Sequence, residues 1–366
     1  MHNKTTKTDL INWGNTNEWL ILSLLIFIAG LIAKLPFIFN IDPEWFYPRN
    51  IGSIIFPILI SYISWRNKAN LYDWGRFMIL ALIPIIYLNL LPGGDESHTF
   101  FLAFTHALIL FISIYGYVFI GGNWKTNNKR ISFLHYCGDL VVLSGLILIS
   151  GGLFTVTTLG LFEMIGFEVE DFYFENFAVW GLPAIPLLTS FLILNNSNIV
   201  SKISPIIAKI FTPLVFIILL VFSIAANFSD KDVFADRELL LLFNLIIIAV
   251  MALIIFSLSQ ASSKSKFQLV LLLSLSLVCI IDNFIALSAI SSRIFEFGIT
   301  PNRVTVTGLN LLVLCHLGLI ARQLFLSVKG SYNLSNIETT IVTFLPIYTL
   351  WAFIITFLFP LIFNFI

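Results

Sequence analysis

RIFEFGITPNRV, residues 293–304, joins two long apolar runs, and its local chemistry says how those runs are built. Gly298 suits the left-handed position that ends a helix, Thr300 is a good N-cap, and Pro301 fits the first helical position. The stretch therefore reads as the turn of a helical hairpin. Arg293 falls in the last turn of the helix before it, where a cation complements the negative end of the dipole and can pair with Glu296 three residues on. Arg303 breaks the pattern. It sits in the first turn of the next helix, facing the positive dipole end, so an anionic partner is expected for it: Glu296 across the turn, a lipid headgroup or a substrate.

The rest of the chain shares the apolar character of these two runs. Of 366 residues, 58% are hydrophobic and 11% charged, and mean hydropathy is +0.96. Soluble domains carry about 25% charged residues, so this composition cannot cover a water-soluble globule. Backbone amides in lipid must be satisfied within the chain, which for runs of this length means helices. The expected fold is all-α, a polytopic transmembrane helix bundle with about eleven membrane-spanning helices and no soluble domain. Their centres fall at residues 19–38, 51–65, 76–92, 100–121, 135–162, 177–194, 207–226, 239–258, 267–297, 302–325 and 340–363. The second is short and interrupted by Pro57. No repeat or linker divides the sequence, so residues 1–366 read as a single membrane-embedded unit. The three cysteines, Cys137, Cys279 and Cys315, lie in or beside apolar runs and argue against a disulfide framework.

Positive charge sets orientation. Of 20 lysines and arginines, Lys34 lies inside the first run and five (Arg49, Lys231, Arg237, Arg293 and Arg303) fall on the side away from the amino terminus, leaving 14 on its own side. The amino terminus is thus expected in the cytoplasm and the carboxy terminus outside. Acids cluster on the outer side: Glu163, Glu168, Glu170, Asp171 and Glu175 in LFEMIGFEVEDFYFENF (161–177), and Asp230, Asp232, Asp236 and Glu238 in another loop. The first loop mixes acids with aromatics, as an interfacial anchor does, or as an acidic mouth for a cation would. Lys34 is expected to snorkel outward towards Asp42 or Glu44, and Asp139 towards the cytoplasmic interface.

Counting outward from Ile299, Asp282 lies 17 residues before and His316 17 residues after. An antiparallel hairpin brings both to one depth, so they are the expected intramembrane polar pair. An acid there costs about 2.5–3.5 kcal/mol on insertion scales and should face the bundle and find a partner. Asp282, Ala286, Ala289 and Arg293 recur at i, i+4, i+7 and i+11, a seam of small residues ended by charges.

Arg293, then Phe297-Gly298, Thr300, Asn302 and Arg303, following an acidic aromatic loop, resembles the bacterial membrane family catalogued as domain of unknown function 4153. The resemblance covers residues 135–325, with Val304 standing where an aromatic is more usual. It implies a multi-pass inner-membrane protein and carries no established activity.

Other chemistry finds little support. LYDWG (Asp73) and HYCGDL (Asp139) follow the order of intramembrane aspartyl proteases, but Tyr136 replaces the first glycine of the second motif. There is no HExxH, GxSxG or GxxxxGK[ST], so no metal, cofactor or catalytic residue is expected. Asp95, Glu96 and His98 form a polar loop, and His106 reads as a bundle-facing hydrogen bonder. With net charge zero and no basic tract, nucleic acid is excluded as a partner. Three classes stay open: a transporter or permease with a polar path through Asp282, His316, Arg293 and Arg303; a membrane sensor or assembly partner of other membrane proteins; and a lipid-handling or lipid-modifying protein using Arg293, Glu296 and Arg303 at the outer face. A small molecule, an ion and membrane lipid are the ligands these classes imply.

Overall fold

The computed structural model describes residues 11–93, 97–227, 237–260, 265–330 and 334–365. Asp95, Glu96 and the acids at 230, 232 and 236 lie outside these, as does the Glu238 side chain. Among the described residues there is no strand, and the fold is an all-α helical bundle. Its helices are α1 (Thr16–Phe39), α2 (Pro43–Arg66), α3 (Leu71–Leu90), α4 (His98–Phe119), α5 (Asn127–Met164), α6 (Glu170–Tyr173), α7 (Val179–Asn195), α8 (Ser197–Asn227), α9 (Arg237–Ser259), α10 (Lys266–Phe297), α11 (Pro301–Val328), α12 (Leu334–Phe353) and α13 (Phe359–Ile362). Two π-helical segments, Phe174–Ala178 and Ile354–Leu358, lead into α7 and α13.

Two compact units divide the chain. The first takes Met1–Ala81 and Tyr136–Ser204, the second Leu82–His135 and Pro205–Ile366.

Ten helices among the described residues are long and apolar enough to cross a membrane, and α2 is not among them. Its geometry nevertheless matches a span. At 24 residues it is as long as α1, about 36 Å at 1.5 Å per residue. It runs antiparallel to α1 from end to end: near the turn Tyr47 donates to the Ala33 carbonyl at 3.0 Å, and at the far ends Arg66 ion-pairs with Glu18. Whatever depth α1 crosses, α2 crosses too. Its lower apolarity has a packing reason, because Arg49, Asn50, Ser53 and Ser64 are all buried against protein and need no lipid-compatible surface. The sequence places this run at 51–65 because the polar first turns, opened by the Asp42 N-cap and Pro43, look like loop.

In the second unit α9, α10, α11 and α12 enclose the main apolar core, including Ile247, Ile254, Leu275, Leu317 and Ile320. Ala286 and Ala289 of α10 are fully buried, which lets α11 approach closely along the expected small-residue seam. The hairpin turn is capped as its residues foretell: Thr300 Oγ1 accepts the Arg303 amide at 3.3 Å and Pro301 opens α11. Gly298 goes further than expected. At φ 79° and ψ −177° it leaves the left-handed helical region for one that essentially only glycine occupies.

Candidate functional site: a buried polar layer in the second unit

Cys279, Asp282, Asn283 and Ala286 recur at i, i+3, i+4 and i+7, so one face of α10 presents them together, and all four are at most 1% exposed. Asp282 and Asn283 fall at the middle of the 32-residue helix. From α8, the Ser223 hydroxyl lies between the Leu219 carbonyl of its own helix, at 2.8 Å, and the carboxylate, with Oγ 2.9 and 3.0 Å from the two Asp282 oxygens. Asn283 Nδ2 donates to the Asn310 carbonyl on α11 at 3.2 Å. Asn310 Nδ2 donates in turn to Asn244 Oδ1 on α9 at 2.5 Å, and Asn244 Nδ2 ends the chain on the Leu240 carbonyl at 2.6 Å. Four helices thus contribute polar side chains to one layer within the apolar core.

The layer is unbalanced. Asn283 Oδ1 and Asn310 Oδ1 are buried acceptors without a hydrogen-bond partner, and among the described residues Asp282 has no ion-pair partner. Each asparagine amide nitrogen spends one of its two N–H donors on the bonds above, and the oxygens of Asn283 and Asn310 receive none. A buried unsatisfied group costs roughly 1–3 kcal/mol, so these oxygens are not what packing alone would select.

His316 is also fully buried, as expected, but the structure gives it other company than Asp282. Its Nδ1 lies 3.2 Å from the Tyr348 hydroxyl of α12, and its ring stacks on Phe344 with centroids 4.4 Å apart. The register explains the separation. The Asn283 side chain meets the Asn310 carbonyl, and His316 lies six residues, about 9 Å, further along α11. Counting from the turn assumed parallel axes and a symmetrical turn.

At the turn, Arg303 is satisfied without an anion. Its NH1 donates to the Phe297 and Gly298 carbonyls at 3.0 and 2.6 Å, and its guanidinium carbon lies 5.6 Å from the Phe297 ring centre. It caps the carboxy-terminal end of α10. A cation unfavourable for its own helix dipole is favourable for the neighbour's, and those carbonyls replace the expected Glu296, which is exposed and forms no ion pair with it. Arg293 is partly buried at the end of the α10 seam.

In the first unit Lys34 turns away from Asp42 and Glu44. It donates to the Glu175 carbonyl at 2.5 Å and to Asn176 Oδ1 at 2.9 Å. The π-helical turn at 174–178 disrupts the regular ladder and leaves such a carbonyl accessible. The acidic aromatic loop is therefore tied to α1 through Lys34, and the start of α7 that follows it through the ring contact of Phe27 with Trp180. Asp139 does not snorkel into water either, being 9% exposed, and its Oδ1 is buried without a hydrogen-bond partner. In the second unit His106 bonds the Leu102 carbonyl of its own helix at 2.9 Å.

Residues central to these sites escaped the sequence reading. Glu18, 4% exposed, accepts from Arg66, from Tyr62 at 3.1 Å and from Asn195 at 3.0 Å. Asn244, Asn283 and Asn310 carried a usable signal, since each interrupts an apolar run in the interior of a span. Comparison with known families, with curated proteins and with solved structures finds no match to this chain.

Proposed function

We propose that this multi-pass membrane protein is a transporter or permease whose polar path runs through Asp282 and the asparagines beside it. One observation carries the reading: a carboxylate at the middle of α10, 1% exposed, holds only a serine hydroxyl, and the amide oxygens of Asn283, next to it in sequence, and of Asn310 on α11 are buried without partners. Intramembrane ionisable groups without a structural counter-charge mark ion and substrate pathways. The proposal places the chain in a bacterial inner membrane, amino terminus in the cytoplasm and carboxy terminus outside, supported by the 14 to 5 split of positive charge and by eleven traverses once α2 is counted with α1. Kinship with the membrane family catalogued as domain of unknown function 4153 belongs to the same proposal and rests on RIFEFGITPNRV.

Reconstituted vesicles bearing an imposed ion gradient, challenged with pools of small solutes on a solid-supported membrane, test the transport reading. At least one pool should evoke a charge-displacement current that Asp282→Asn abolishes. Currents absent for every pool, or equal in the variant, would refute it. A cytoplasm-only reporter fused at Ile366 tests the orientation, and strong signal from it would overturn the proposed topology.

A further inference from the structure

The composition of the polar layer narrows what it can accept. A neutral hydrogen-bonding ligand could donate to the oxygens of Asn283 and Asn310, but it would leave the Asp282 charge uncompensated. An anion would face the carboxylate. A cation meets both needs at once, accepting lone pairs from the amide oxygens and neutralising Asp282 in a medium where an uncompensated charge is most costly. Divalent ions are held by several carboxylates or keep their water, and this layer has one carboxylate and little exposed surface. The charge therefore fits +1.

We propose that Asp282, Asn283 and Asn310 form a site for a desolvated monovalent alkali cation, Asp282 supplying the charge and the two amide oxygens supplying neutral ligands. The inference deepens the transport reading of the same layer by naming the coupling ion's class. Ser223 positions the carboxylate from α8, and Asn244 holds the Asn310 amide so that its oxygen, rather than its nitrogen, is left for the ion. Because α8, α9, α10 and α11 all reach the layer, occupancy would tie four helices together.

Binding is measured on the purified full chain in detergent, so failure of transport and failure of binding stay distinguishable. Thermal unfolding is followed in NaCl, in KCl and in choline chloride at equal ionic strength, together with equilibrium binding of radioactive sodium. Na⁺ or K⁺ should raise the melting temperature saturably over choline. Asp282→Asn, which keeps a Ser223 acceptor and the side-chain shape, should lose that shift and weaken binding about tenfold or more, the equivalent of 1.4 kcal/mol or more. Asn310→Ala should weaken it less, having removed one neutral ligand. If Asn310→Ala misfolds, the salt series on the wild type and on Asp282→Asn still decides. Three outcomes overturn the proposal: equal melting in all three salts, salt shifts that persist in Asp282→Asn, or a site that responds to pH alone and binds no sodium, which would make Asp282 a proton site.

Discussion

The Arg66–Glu18 pair offers the sharpest energetic test because its two members are unequally buried, with side-chain exposures of 28% and 6%. Replacing Glu18 by Gln leaves Arg66 with the Leu194 carbonyl at 2.8 Å and Asn195 Oδ1 at 3.1 Å, and with access to water. That loss should cost about 1–2 kcal/mol, the scale of a charge-assisted hydrogen bond exchanged for a neutral one. Replacing Arg66 by Gln instead strands the Glu18 carboxylate, which keeps Tyr62 and Asn195 as donors but cannot reach solvent. Removing one partner of a buried pair costs about 3–5 kcal/mol, and the surviving donors place this case near the lower figure. Arg66→Gln is therefore expected to be the more damaging change, and the double variant less damaging than Arg66→Gln alone. Arg76 and Asp73, paired at 3.1 Å with exposures of 46% and 37%, supply the control, because Arg76→Gln should cost no more than about 1 kcal/mol. Denaturant titration in mixed micelles measures all four. An Arg66→Gln cost equal to the Arg76→Gln cost, or additive Glu18 and Arg66 effects, would refute the claim that this pair locks the α1–α2 hairpin.

Three further outcomes follow from the geometry. Gly298→Ala should lose about 1–3 kcal/mol, and Gly298→Asn should not rescue it, because asparagine tolerates the left-handed helical region but not ψ near 180°; unfolding of the pair checks this. Arg303→Gln should cost about 0.5–2 kcal/mol of stability, with Glu296→Gln neutral and the two additive, since the guanidinium serves the Phe297 and Gly298 carbonyls. A Cβ at Gly30 would enter the Trp180 ring and one at Gly308 the Trp351 ring, so either Gly→Ala change should destabilise by about 1–3 kcal/mol while Gly145→Ala, with open space around it, leaves melting unchanged or raises it.

What the sequence could reveal follows from the range of the forces involved. Helix class and most helix bounds depend on local hydropathy and capping, so the α10–α11 turn was legible residue by residue from Gly298, Thr300 and Pro301. Burial of Asp282 and His316 was legible too, because lipid leaves an acid few alternatives. Partners were not. Ser223 lies 59 residues from Asp282 and Tyr348 lies 32 from His316, and only helix packing decides which polar groups meet. Arg303 shows the same limit at short range: the carbonyls that satisfy it belong to the turn itself, and backbone groups leave no mark in the residue alphabet. Lys34 met a carbonyl freed by a π-helical turn, an irregularity that the sequence FENFA does not announce.

Two of the buried acids, Glu18 and Asp282, separate structure from function by contrast. Glu18 sits at the start of α1 with an arginine, a tyrosine and an asparagine converging on one oxygen, and Asn15 accepting its amide at 2.9 Å. Three donors there, one of them a cation, answer the carboxylate, as expected where an acid has been kept to hold helices together. Asp282 sits mid-helix, with one hydroxyl for two oxygens and no cation among the described residues, and the side-chain oxygens of Asn283 and Asn310 are unpartnered as well. Had holding helices together been its only role, an asparagine or a second donor would serve at lower cost, since a neutral amide needs no counter-charge. An acid retained where the surrounding side chains raise its cost has its compensation in something that is not part of the chain.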